Sequence, residues 1–225
     1  MKEVTPIPWL FNELWQAESY TVTYYMSALC ACKSVNPGKA NINCQVCHGF
    51  GWFYPFPAKT LRGLVSDVKM RKDLLAMGIA EPGDLLFSPE PGTAHLSDYD
   101  LILLRWPQGV PSEGQVIIRG SGATDEAYYR MDWVQGAWET NPTTGVVISY
   151  TPKVDFTWDG RTITWVGRKP VTADPYSIQY SGSFEWIAFV SPQPRIAFGQ
   201  DLGQRVILRK RHIVTPNVPL LATVD

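Results

Sequence analysis

VDFTWDGRTITWV, residues 154–166, decides the fold class. Asp159-Gly160 is a favoured two-residue hairpin turn, and its flanks alternate apolar and polar with the period of two that sends successive side chains to opposite faces of a sheet. A turn at that dipeptide sets Phe156 opposite Ile163 and Val154 opposite Trp165, with Trp158 facing Arg161, whose guanidinium can lie on the indole. One face is then apolar. The other carries Asp155, Thr157, Thr162 and Thr164 and can meet water.

The neighbouring segments extend the pattern. PYSIQYSGSFEWIAFV (175–190) alternates Tyr176, Ile178 and Tyr180 against Ser177, Gln179 and Ser181, and Ser181-Gly182 predicts a second turn, with a return strand through Trp186. TVTYYM (21–26) alternates like a strand, while LILLRW (101–106), QVIIRG (115–120) and GVVISY (145–150) read as buried strands. EPGD (81–84) is a turn leading into Leu85-Leu86-Phe87, preceded by one short helical turn around Asp73 to Met77. The expected fold is mainly β, a barrel or sandwich with β-hairpins occupying residues 59–225 and ending in an extended tail from Thr215. Residues 1–58 are expected to form an N-terminal arm and a small cysteine-rich zinc module.

That module rests on spacing. All four cysteines of the 225-residue chain fall in one window, as CAC (30–32) and CQVC (44–47). Two pairs of thiolates on separate turns, closed by a loop of ten to twenty residues, are what a tetrahedral zinc site requires. Gly49 and Gly51 let the backbone fold tightly behind the second pair, as in a zinc knuckle. CQVCHGFG is similar to the CxxCxGxG units of J-protein chaperones and zinc ribbons over one half-site, the first pair being CxC. The expected ligands are Cys30, Cys32, Cys44 and Cys47, with His48 facing solvent or standing behind the ligand shell. Four thiolates leave no open coordination position, so the zinc is expected to be structural. The aromatic run FGWFYPFP (50–57) is too short and too proline-broken to form a core, and packs on the main domain or on a neighbouring subunit.

Charge and motifs exclude several classes. Net charge is −1, so the chain lacks the broad basic field that drives non-specific phosphate binding. MKEVTPIPWLFNELWQ (1–16) has early prolines and acids and no continuous apolar core, so no signal peptide is expected, and no window approaches a membrane span. Reducing cytoplasm is the expected setting. G-x-S-x-G, phosphate-loop, dinucleotide and H-E-x-x-H motifs do not occur. His48, His95 and His212 are too few and too scattered to suggest a second metal centre. Asp98 and Asp100 could flank a cleft as a glycosidase requires, but acids two residues apart are expected to mark a polar turn. No catalytic residue is expected.

Two further segments invite partners. QRVILRKRHIV (204–214) gathers Arg205, Arg209, Lys210, Arg211 and His212 on an alternating strand. It reads as a solvated edge whose charges discourage pairing, or as a basic strip facing an acidic partner or DNA. The arm, with Pro6, Pro8, Trp9, Phe11 and Trp15, is costly to leave in water and is expected to dock on its own domain or on an adjacent copy, holding copies together by strand addition.

The order RKDLLAMGIAEPGDLLFS … LSDYDLILL, then VDFTWDGRTITWVGRKP … PYSIQYSGSFEWIAF, then QRVILRKRHIV is similar to virion proteins of the head-to-tail neck of tailed bacteriophages, across about Arg71 to Val214. The resemblance implies a non-enzymatic structural protein, assembled in the host bacterial cytoplasm into a homo-oligomeric ring. Such a ring joins portal or connector to tail proteins around the DNA channel and can touch packaged DNA. Two other classes fit parts of the pattern: a zinc-ribbon nucleic-acid-binding protein, and a tail-associated carbohydrate-binding β protein using Trp and Tyr platforms.

Overall fold

The fold was determined as a computed structural model, which describes residues 13, 16–34, 39–67, 80–81, 83–93, 95–105, 113–141, 144–189, 193–197 and 200–214. The strands in chain order are β1 (Tyr20–Tyr25), β2 (Ala28–Leu29), β3 (Trp52–Phe53), β4 (Lys59–Asp67), β5 (Leu85–Pro89), β6 (Leu101–Arg105), β7 (Glu113–Ile118) and β8 (Thr124–Glu126). They continue with β9 (Arg130–Thr140), β10 (Val147–Tyr150), β11 (Phe156–Asp159), β12 (Thr162–Trp165), β13 (Pro175–Ala188), β14 (Gln193–Ala197) and β15 (Gln200–Lys210), followed by one helical turn, α1 (Arg211–Val214). The protein is mainly β, with the cysteines clustered near the N-terminus, as expected. Internal contacts divide the chain into Met1–Leu103 with Glu185–Pro219, and Leu104–Phe184 with Leu220–Asp225. The cysteine segment and residues 59–103 therefore belong to one unit.

The first unit is a closed six-stranded antiparallel barrel in the order β1-β4-β5-β15-β13-β6 and back to β1. Closure comes from the end of β13, where Trp186, Ile187 and Ala188 pair with Lys210, Arg209 and Leu208. The alternation in YTVTYY becomes burial of Val22 and Tyr24, and the apolar runs of β6 and β15 are buried on both faces at Leu101 and Ile102 and at Val206, Ile207 and Leu208. Gly63 has a steric reason to be glycine. A Cβ there would lie 2.1 Å from the ring of Phe87, which is fully buried and has nowhere to move.

The second unit is built from two sheets. β7, the first part of β13, β9 and β10 form one, with β13 pairing on both sides, and β11-β12-β8 form the other. Trp165 joins them, touching Tyr150, Phe156 and Tyr176 with ring centroids 5.2–5.3 Å apart. Its indole N–H and the Tyr176 hydroxyl both donate to the buried Asp125 carboxylate, at 2.8 and 3.0 Å, and Arg119 donates to the other oxygen at 3.1 Å. A polar group this deep persists only because every acceptor site is used.

The hairpin at 156–165 forms, with a shifted register. Phe156 pairs with Trp165, Trp158 with Ile163 and Asp159 with Thr162, so the two-residue turn is Gly160-Arg161, with Gly160 at φ +56°. Glycine at the first turn position suits a type II′ turn. Because the shift preserves parity, Phe156, Ile163 and Trp165 remain on the buried side, while Val154 leaves the ladder and is exposed. Arg161 reaches toward Glu126 at 4.0 Å.

Three expectations need correction. Residues 175–188 form one strand rather than a hairpin. A Cβ on Gly182 would lie 1.9 Å from the Arg130 carbonyl oxygen, so this glycine admits a neighbouring backbone at a bulge instead of turning the chain. QVIIRG and GVVISY are only half-buried, with Val116, Ile118, Val147 and Ile148 exposed. β15 is no solvated edge, since it pairs with β5, β13 and β14. Arg209 clasps Asp84 with two guanidinium nitrogens at 3.1 and 2.8 Å, and Arg211 donates to Glu185 at 2.5 Å, each pair buried. The turn at Asp73–Met77 and the arm at residues 1–11 lie outside the described residues.

Gly63→Ala is expected to cost roughly 1–3 kcal/mol through overpacking against Phe87. Gly114→Ala, whose added methyl meets open space, should leave the melting temperature within about a degree of the parent. Thermal denaturation of the two variants checks the contrast.

Candidate metal centre

Local backbone rules assemble the cysteine site. β2 and β3 pair Ala28 with Phe53 and Leu29 with Trp52, closing the ends of the segment. Cys30 follows β2, and its N–H donates to the Gly51 carbonyl at 2.9 Å. Cys32 lies in the 3₁₀ turn Ala31–Ser34. On the other side the Cys44 N–H bonds the Asn41 carbonyl at 3.0 Å, the His48 N–H bonds the Cys44 carbonyl at 2.8 Å and the Phe50 N–H bonds the Cys47 carbonyl at 2.9 Å. His48, Gly49 and Gly51 all carry positive φ. A Cβ on Gly51 would lie 2.2 Å from Lys33 Cε, so the close wrap expected of this glycine is present.

The result brings all four sulfurs within 4.8 Å of one another, with Cys30 and Cys44 Sγ atoms 3.7 Å apart and Cys32 and Cys47 Sγ atoms 3.4 Å apart. Zinc–sulfur bonds of about 2.3 Å in a tetrahedron put neighbouring sulfurs about 3.8 Å apart. The thiols are free rather than bridged, and this group could hold one metal ion. Cys30 and Cys47 are buried, Cys32 and Cys44 half-buried. His48 is exposed and stands outside the sulfur group.

Electrostatics fit the same use. Amide donors from Cys47 and Val46 draw Cys44 down to about 6. Cys32 also accepts an amide bond, from Asn41, but burial and the neighbouring thiols outweigh it and push the group up to about 12. Cys30 is likewise raised, since burial and the thiols of Cys44 and Cys47 outweigh its amide bond from Cys32. One thiolate is favoured and further negative charge is resisted. A divalent cation would relieve that repulsion.

The segment is fastened to the barrel of its unit through Tyr99. Trp52 stacks on that ring at 4.7 Å, Phe50 meets its edge at 5.6 Å, and the Tyr54 hydroxyl donates to the Tyr99 carbonyl at 3.1 Å. The aromatic run thus finds its surface within its own chain. Tyr99 holds φ +68°, unusual for a bulky residue, and its N–H bonds the Ala188 carbonyl at 2.7 Å. Beside it, fully buried Asp100 accepts from the Ser27 and Ser97 amides, each at 2.7 Å, and from the Tyr24 hydroxyl at 3.1 Å. Asp100 is therefore a structural anchor within the polar turn expected at 98–100. Sequence reading missed its Tyr24 and Ser27 partners, 76 and 73 residues away, and the Tyr54 contact with Tyr99, 45 residues away, because contacts at such range leave no local pattern. No family model and no curated protein matches the chain.

Two outcomes follow from this geometry. Metal binding must expel the protons that the thiols still hold, so affinity should fall more than tenfold per pH unit on acidification near neutrality, as chelator competition would read. Asp100→Ala strands the buried Tyr24 hydroxyl and two part-buried amides, of Ser27 and Ser97, and should destabilise the fold by about 1–3 kcal/mol in urea denaturation.

Proposed function

We propose that the chain is a non-enzymatic structural virion protein, a ring-forming component of the head-to-tail neck of a tailed phage, braced by one zinc ion on Cys30, Cys32, Cys44 and Cys47. The observation that carries the structural role is the sulfur group: four thiols at tetrahedral spacing fill a coordination sphere and leave no position for substrate. Its attachment through Trp52, Phe50 and Tyr54 to the Tyr99 loop means that a bound ion stiffens a barrel end. Zinc is favoured over iron–sulfur or copper chemistry by the CxC and CxxC pairs on tight turns, each offering two thiolates to a single ion.

The neck assignment rests on the sequence resemblance over Arg71 to Val214, and a β barrel with short connecting strands is compatible with it. A nucleic-acid-binding reading has less support, because Arg209 and Arg211, two cations of the supposed basic strip, are neutralised by buried carboxylates. In the ring, portal or connector and tail proteins are the expected neighbours, with packaged DNA in the channel.

Protein purified under reducing conditions is expected to contain one zinc per chain and to form closed rings by electron microscopy. Cys44→Ser should lower zinc content and ring yield together. Reduced protein free of zinc would remove the bracing role, and a dispersed monomer with enzymatic turnover would remove the neck assignment.

A further inference from the structure

The second unit carries a strand edge that no described strand pairs, beside an uncharged surface. β7 has one described strand neighbour, β13, and among the described residues no strand lies along its other side. Its outward side chains are Gly114, Val116 and Ile118, the last two 63% and 70% exposed. The same face continues in register through Ser177 to half-buried Trp138 and exposed Ser149, and through Pro175 beside Ile118. A Cβ on Gly136 would come within 3.1 Å of the Trp138 ring, so the indole lies along the sheet. None of these positions bears a charge. Exposed edges are ordinarily blunted by lysine, proline or a charge, and β7 presents none of these on its outward face.

The chain also contains a segment suited to such an edge. Residues 4–11, VTPIPWLF, are uncharged, and their prolines stand two apart at Pro6 and Pro8. In an extended strand, successive residues turn their N–H and C=O groups to opposite edges. Thr5, Ile7 and Trp9 would offer complete hydrogen-bonding groups on one edge, while Pro6 and Pro8, which have no N–H, fall on the other. Such a strand can pair once and then stops further pairing. Five extended residues cover about 17 Å, against about 20 Å for the six residues of β7.

We propose that residues 5–9 of one copy add as a strand to the open edge of β7 in a neighbouring copy, covering Val116 and Ile118. The inference rests on the ring reading and deepens it. One donor and one acceptor on each chain make a head-to-tail contact, the kind that closes into rings. Main-chain bonds supply the attachment, and the uncharged side chains meet the uncharged face without burying an unpaired charge.

The test uses the full chain, a chain lacking residues 1–11, and a fluorescent peptide of residues 1–12, MKEVTPIPWLFN. Sedimentation should show that the deletion reduces the assembly to single subunits, and the peptide should bind the deleted chain. Val116→Lys with Ile118→Lys in the acceptor should weaken that binding about tenfold or more. If the lysine variant fails to fold, the peptide decides alone. Ile7→Pro removes a donor from the pairing edge and should abolish binding, whereas Pro8→Ala alters the outer edge and should bind within about twofold of the parent. Equal binding of the Ile7→Pro peptide, or no binding of the parent peptide, overturns the inference. Rings that persist without residues 1–11 also overturn it but leave the neck reading standing; a full-length monomer ends the ring reading itself.

Discussion

The Asp100 carboxylate is the constraint on which the cysteine-bearing end of the barrel depends. It is fully buried, and its hydrogen bonds tie the end of β1 at Tyr24, the exit toward the cysteines at Ser27 and the turn at Ser97 to the start of β6. A buried carboxylate is tolerable only with such a complement of donors. The burden appears in its partner: burial first, and then the Asp100 charge, drives the Tyr24 hydroxyl above its ordinary titration range. Tyr99 is consequently held where its ring can receive Trp52 and Phe50. The cysteine loop is located by this chain of contacts as much as by its own turns.

Buried ion pairs repeat that logic at the end of β15 and the start of α1. Arg209 with Asp84 and Arg211 with Glu185 bind segments distant in sequence, and each partner would be expensive to bury alone. Burial also pushes His212 down to about 4, with Lys210 reinforcing the shift, so His212 is neutral across physiological pH. A strand that reads as basic thus presents far less charge than its composition suggests. Charge counted along a sequence is not charge displayed to a partner.

Legibility followed the range of the interactions. The cysteine group was readable because four cysteines within eighteen residues are a local pattern, and β1, β6 and the 156–165 hairpin were readable from alternation, an apolar run and a glycine turn. Gly182 misled because Ser-Gly is a genuine turn signal, and only the approach of the Arg130 carbonyl reveals its other use. Burial of QVIIRG and GVVISY was overestimated because an apolar run does not reveal whether one or both faces are covered. Barrel closure between β13 and β15, and the partners of Asp100, depend on contacts that no short window contains.

Sulfur proximity has a chemical cost when metal is scarce. Cys44, kept partly as thiolate near neutrality by two amide donors, is a ready nucleophile among three close thiols. Dissolved oxygen can remove two electrons and two protons from a neighbouring pair, and a single covalent bridge would withdraw two of the four ligands at once. The segment is therefore suited to being filled soon after synthesis, while its thiols are still reduced.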